Sequence, residues 1–167
     1  IKFSHLVEIR CVNTLETMTS MEADSSLVDW YNALAVGGKL LVEVPDMDYY
    51  VRMWLEAEWN EQTLRDPTSD AQRSFTALNG DQARGNPHFE NYDESYHYVH
   101  KSSYNKSRLT FLLERAGFAN VVVELPEPGV LKAEAVKTMD KSERQVAPEL
   151  EQIRVDHRKR YEFAAKH

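Results

Sequence analysis

The chain has 167 residues, 42% hydrophobic and 28% charged, with a net charge of −7. That length supports one domain with a real core, and the acidic balance argues against a general nucleic-acid or anionic-membrane binder. No apolar run reaches the roughly 20 residues that span a bilayer. No signal peptide is expected, and the single cysteine, Cys11, excludes an intramolecular disulfide and fits a reducing compartment such as the cytoplasm.

Residues 5–12, His-Leu-Val-Glu-Ile-Arg-Cys-Val, alternate and are β-branched, which predicts a strand. Cys11 lies inside this apolar run and reads as buried filler. Residues 13–23 are polar and short-chained, hence a loop. Asp24-Ser25-Ser26 offers a helix cap, and Leu27, Trp30, Tyr31 and Leu34 follow at helical spacing. Gly37 is expected to stop that helix, and Lys39–Val44 is the next strand. Asp46 or Asp48 caps a second helix, whose apolar face is Tyr50, Val51, Trp54 and Leu55.

After a polar stretch with Pro67, a helix is predicted from Asp70 to Leu78, ended by Asn79-Gly80. Residues 81–102 carry His88, His97 and His100 with Tyr92, Tyr96 and Tyr98, and little aliphatic content. Long irregular segments in compact domains are usually functional or mobile. Leu109, Leu112, Leu113 and Ala116 then mark a helical face, stopped by Gly117. Asn120–Leu125 and Val130–Val136 are strands around a Pro-Glu-Pro-Gly turn, and so short a link makes them antiparallel. Residues 139–167 are charged and helical in pattern. The fold class is α/β, with a parallel sheet finished by an antiparallel hairpin. The domain is expected over residues 1–138 and a charged helical tail over 139–167.

The order of these elements resembles the carboxyl-terminal half of the class I S-adenosylmethionine-dependent methyltransferases. Four stretches carry the likeness. Val12-Asn13-Thr14-Leu15-Glu16 resembles the apolar strand and Leu-Glu-His that end the family's fourth strand, with Thr17 in place of the histidine. Gly37-Gly38 running into Leu40-Leu41-Val42 resembles the turn before strand five, although Ala35-Val36 stands where the family has Lys-Pro. Val44-Pro45-Asp46 resembles the Val-Pro-Asp of a bacterial subgroup, in which Gly-Gly-Gln and His-Lys follow. Here Asn79-Gly80-Asp81-Gln82 and His100-Lys101 stand in similar places. Leu112 to Val121 looks like the family's step into strand six. The match covers roughly residues 5–137.

The resemblance implies a partial Rossmann-like sheet whose last strand is antiparallel. It implies S-adenosylmethionine as cofactor, with Asn13, Thr14, Leu15 and Glu16 at its methionine end. The first strands of the family's sheet, with their glycine-rich loop and ribose-binding acid, have no counterpart. The expectation is therefore an incomplete cofactor site and a chain inactive or weakly active alone. A base would come from Asp46, His97 or His100, and the acceptor would be a small molecule or glycan.

Each of these residues has a plainer reading. Asn13 to Glu16 would be a solvated loop satisfying its own backbone. Asp46 would be a helix cap. The histidines and tyrosines would be surface packing or a substrate-covering loop. His97 and His100 have a usable metal spacing, but no Cys or carboxylate pair completes a ligand set. Trp30, Trp54 and Trp59 read as core or interface. Arg154, His157, Arg158, Lys159 and Arg160 read as a solvated helical face. A rival reading is a non-enzymatic module that covers its exposed sheet edge and apolar faces by forming a homodimer or by binding a partner chain.

Overall fold

The computed structural model describes residues 6–81 and 98–139, with Gln152, Val155 and Asp156 of the tail. The four strands are β1 (Leu6–Val12), β2 (Leu34–Pro45), β3 (Ala119–Glu127) and β4 (Val130–Val136). They form one sheet in the order β1-β2-β4-β3. β1 and β2 are parallel. β4 runs antiparallel to both β2 and β3. The expected α/β class and the antiparallel last strand are therefore both present. The tail expected over 139–167 lies outside the described residues, apart from its first residue and the three named above.

The helices are α1 (Ser20–Ala33), α2 (Met47–Glu56), α3 (Glu61–Arg65), α4 (Asp70–Asn79) and α5 (Lys106–Arg115). α1 and α5 supply Leu27, Tyr31, Leu109 and Leu113 to the core. These residues pack on the sheet face formed by Leu40, Val42, Val44, Leu131, Ala133 and Ala135. Tyr31 meets Phe118 edge-to-face at 5.1 Å. α2 and α4 pack beside each other past the end of β2, where Trp54 stacks on Phe75 at 6.0 Å and tilts against Trp59 at 4.5 Å.

Two local expectations are corrected. α1 begins at Ser20, not at Asp24, because Thr19 and Glu22 form a capping box. Thr19 Oγ1 accepts the Glu22 N–H, and the Glu22 carboxylate accepts the Thr19 N–H at 2.7 Å. Two free donors are thus satisfied five residues earlier in the chain than the predicted cap. The same helix ends at Ala33, before the glycines, and β2 runs straight through Gly37-Gly38. Gly37 does take a positive φ of 85°, but it serves a bulge in the strand. Its N–H donates to Lys137 O at 2.7 Å, and the Lys137 N–H returns a bond to Gly38 O at 3.0 Å. A β4 neighbour therefore takes the backbone groups that a helix end would have left free. The bulge appears as a jump in the β1–β2 register, from Leu6↔Leu34 to Glu8↔Lys39. Lys137 is itself buried, donating from Nζ to Leu34 O at 2.6 Å with its ammonium over the Tyr31 ring.

The opposite sheet face is charged. Lys132 stands directly across from Glu43 and pairs with it at 3.1 Å. Lys39 pairs with Glu134 and Arg10 with Glu8, each at 2.6 Å. Val12, Leu41 and Val122 are interspersed among ions rather than joined in one greasy patch.

Candidate functional site at the strand ends

β1 and β2 both point their carboxyl ends toward α4 and residues 98–104. Asn13 leaves β1 with φ 47°, its N–H donating to Glu43 O at 3.0 Å. Asn tolerates this left-handed conformation better than most residues. A single 3-10 turn, Leu15–Thr17, follows. Leu15 is fully buried, and Glu16 is drawn in beside it at 2% exposure.

Residues 100–104 hold that turn from the other side. The Lys101 and Ser102 N–H groups donate to Glu16 O at 2.8 and 3.1 Å. The Ser102 hydroxyl reaches Met18 O at 2.9 Å and the Tyr104 hydroxyl at 2.9 Å, and Tyr104 donates to Leu15 O at 3.2 Å. The Met47 N–H donates to Tyr104 O at 2.8 Å, which fastens the same segment to the start of α2. Gly80 ends α4 and bridges Val99.

Together these elements border an open cleft of ≈ 620 Å³. Glu16, Tyr50, Arg73, Thr76, Tyr98 and His100 are among the residues around it. Below it, Glu16 and His100 also line a void of ≈ 10 Å³ with Ser102 and Tyr104. The larger volume falls within the range of small-molecule sites.

Glu16 is the unusual group. Its Oε2 is buried without a hydrogen-bond partner. Burial pushes the carboxyl up to about 7. An unsatisfied buried carboxyl oxygen is costly in the fold and marks a functional candidate. His100 lies opposite. Its Nδ1 is 2.8 Å from Ala77 O. A carbonyl only accepts, so Nδ1 carries the proton and Nε2 is left as the basic nitrogen. Burial also lowers the His100 pKa, which favours that neutral ring. Burial, then the charge of Glu16, pushes the Cys11 thiol up to about 11, so it stays protonated and inert. Burial likewise raises the Tyr104 and Tyr50 hydroxyls.

The structure thus brings Asn13, Glu16 and His100 to one cleft. Thr14 turns its hydroxyl back to Val12 O at 2.9 Å, and Leu15 is core. Asp46 is buried at the N-cap of α2, accepting the Asp48 N–H at 3.1 Å. His97, with His88, Tyr92 and Tyr96, lies outside the described residues. Arg73 and Thr76 were not singled out by the sequence, and Tyr50 was read only as part of the apolar face of its helix. Arg73 and Thr76 sit three apart, on one face of α4, and that spacing was the available signal. Among the described residues no group of three or more His, Cys, Asp or Glu is placed to hold a metal ion. Nor is any helix among them long and apolar enough to cross a membrane.

No family model matches the chain, and no curated protein does. Solved structures do. One is a possible exported protein from Bordetella parapertussis, with TM-score 0.49 and 14% identity over 81% of this chain and 40% of that one. Another is the CurJ carbon methyltransferase, with TM-score 0.45 and 20% identity over 83% and 31%. A third is a SAM-dependent methyltransferase from Thermotoga maritima, with TM-score 0.42 and 14% identity over 78% and 55%. The chain spans less than two thirds of each.

Proposed function

We propose that the chain is a cytoplasmic, methyltransferase-like α/β unit whose strand-end cleft forms one wall of an S-adenosylmethionine site. The observation behind this reading is the buried Oε2 of Glu16, without a hydrogen-bond partner just past the carboxyl end of β1, on a ligand-sized cleft that His100 also lines. In open α/β sheets ligands bind outside the carboxyl ends of the strands. Of the sequence stretches that resemble the class I methyltransferases, the one ending at Glu16 and the one with Pro45, Gly80 and His100 border this cleft, while the Gly37-Gly38 and Leu112–Val121 stretches lie at the amino ends of β2 and β3.

The residues present fit part of such a cofactor. Glu16 Oε2 has no hydrogen-bond partner, which an ammonium would supply, and Asn13 and Thr17 line the same cleft. The cofactor, when bound, would supply a methyl group on a sulfonium. His100 Nε2 would take a proton from the acceptor, a small molecule or glycan hydroxyl or amine. The tyrosines at the cleft would flank the two reactants, and positioning them would do much of the work.

Isotope-edited NMR with S-adenosylmethionine and S-adenosylhomocysteine tests this. Weak, saturable shifts at Asn13, Glu16, Tyr50 and His100 are expected. Absence of shifts there at millimolar ligand would refute the site. Micromolar affinity by calorimetry would instead refute the single-wall reading, since a complete pocket would then be present.

A second reading, a non-enzymatic module that self-associates, rests on a separate feature. Among the described residues nothing pairs with the outer edge of β1.

A further inference from the structure

The cleft beside Glu16 carries a cation that the chemistry above does not use. Arg73 lines it from α4, with Thr76 three residues on. Its contact with Asp70 is loose. Nη1 lies 3.5 Å from Asp70 Oδ1, and both side chains are well exposed. An ion pair of that kind contributes little to stability and leaves the guanidinium fork able to take a second anion. The charge also lies near Tyr50. Burial raises the Tyr50 hydroxyl, and Arg73 acts against that rise. Tyr50 is itself seated on the β3–β4 turn, where a Cβ on Gly129 would come within 2.7 Å of its hydroxyl oxygen.

Ala77 relates this cation to the base. Its carbonyl holds His100 Nδ1 at 2.8 Å, and it follows Arg73 by four residues of one helix, a rise of about 6 Å. Glu16, Tyr50, Ala77 and His100 line both the inner void and the open cleft, whereas Arg73 and Thr76 line the cleft alone. A molecule in the cleft therefore meets His100 on its inner side and Arg73 about one helical turn away. The planar guanidinium fork matches a carboxylate or a phosphate. Glu16 and Asp81 line the same cleft, and their charges repel a dianion more than a monoanion. That balance favours the carboxylate.

We propose that the acceptor is a small organic acid, its carboxylate held by Arg73 and its hydroxyl or amine presented to His100 Nε2. This rests on the reading of the cleft as part of a methyltransferase site, and it names the class of acceptor for that site. Arg73 acts here as a binding residue that sets specificity, and His100 keeps the role of base.

NMR titration of the full chain with para-hydroxybenzoate, para-hydroxybenzamide and phenyl phosphate tests the proposal. The acid should shift the Arg73 side-chain and His100 ring signals saturably, and should bind at least about tenfold more tightly than the uncharged amide. Arg73→Gln should erase that preference with the melting temperature unchanged, and Arg73→Lys should restore only part of it. Asp70→Asn removes the loose partner, leaves the guanidinium in place and should keep the preference. Acid and amide binding alike overturns the proposal. So does no binding of the acid at millimolar concentration, a preference that survives Arg73→Gln, or one that is lost in Asp70→Asn. Tighter binding of phenyl phosphate overturns the assignment to a carboxylate. S-adenosylhomocysteine separates this proposal from the reading beneath it. If it shifts Asn13 and Glu16 while acid and amide bind alike, the cofactor wall stands and the acid acceptor falls. If the acid binds through Arg73 while S-adenosylhomocysteine shifts neither residue, the methyltransferase reading falls and an organic-acid site remains.

Discussion

The Lys101 N–H donates to the main-chain carbonyl of Glu16 at 2.8 Å. This contact joins the turn after β1 to a segment that follows α4, and the Ser102 N–H doubles it at 3.1 Å. The main-chain carbonyl of Glu16 is therefore held by two donors of one segment. Its side chain lies buried beside that segment at 2% exposure, so the carboxyl is desolvated.

That desolvation has a signature in stability. Glu16 titrates near 7 in the fold, against an ordinary value of 4.5. Below pH 4.5 the carboxyl is protonated in both states and costs nothing. Between pH 4.5 and about 7 the unfolded chain loses its proton first, so the folded state loses stability as pH rises, and the loss is complete above 7. Glu16→Gln removes the titration. It should be close to neutral at pH 4 and stabilising by on the order of 2 kcal/mol at pH 8. Urea melts of both proteins at the two pH values give the comparison, and equal differences at pH 4 and pH 8 would contradict it.

His100 works in the opposite sense. Burial holds its pKa below 6.5. As pH falls through 6.5 the unfolded chain takes up a proton that the fold resists, so stability drops on the acid side. Long-range nitrogen–proton spectra should show a neutral ring protonated at Nδ1, with a midpoint below 6.5. A midpoint at or above 6.5, or a proton on Nε2 at neutral pH, would remove His100 as the cleft's base.

How far the sequence reaches is clearest at the helix and strand ends. The Asp46 cap, the stop at Gly80 and the β3–β4 hairpin were all legible, because each depends on residues within a turn or two of itself. The start of α1 was misplaced because two caps compete, and Thr19 with Glu22 satisfies more donors than Asp24 does. Gly37 was read as a helix stop because the sequence records its conformation but not its partner, Lys137, from the far end of β4. The same distance hides the state of Glu16. Its position was legible as a strand-end residue, while its burial depends on Ser102 and Tyr104, nearly ninety residues on.

Gly80 carries the geometry of that distant segment. Its φ is +81°, and a Cβ there would collide with Tyr98 O and sit 2.8 Å from His100 N. Both obstacles are backbone, so neither can turn aside. Gly80→Ala should cost about 2 kcal/mol or more and displace His100 from Ala77 O. Thermal melts measure the first effect and the His100 proton resonance the second. A variant with unchanged melt and unchanged resonance would show that residues 98–104 are held some other way.

Asp46 separates capping from catalysis. Its carboxylate is buried, accepts the Asp48 N–H at 3.1 Å, and stands at the positive end of the α2 dipole. Asp46→Ala removes the acceptor and should cost about 1 kcal/mol. Asp46→Asn keeps an oxygen in the same place and should recover most of that. If Asp46 only caps, cofactor-induced shifts at Glu16 and His100 survive in Asp46→Asn, and any methyl transfer by the chain survives with them. If instead it takes the acceptor's proton, Asp46→Asn keeps its stability and loses turnover by about 100-fold or more. Melts and turnover measured on the same two variants distinguish the roles, because a cap and a base respond oppositely to the amide.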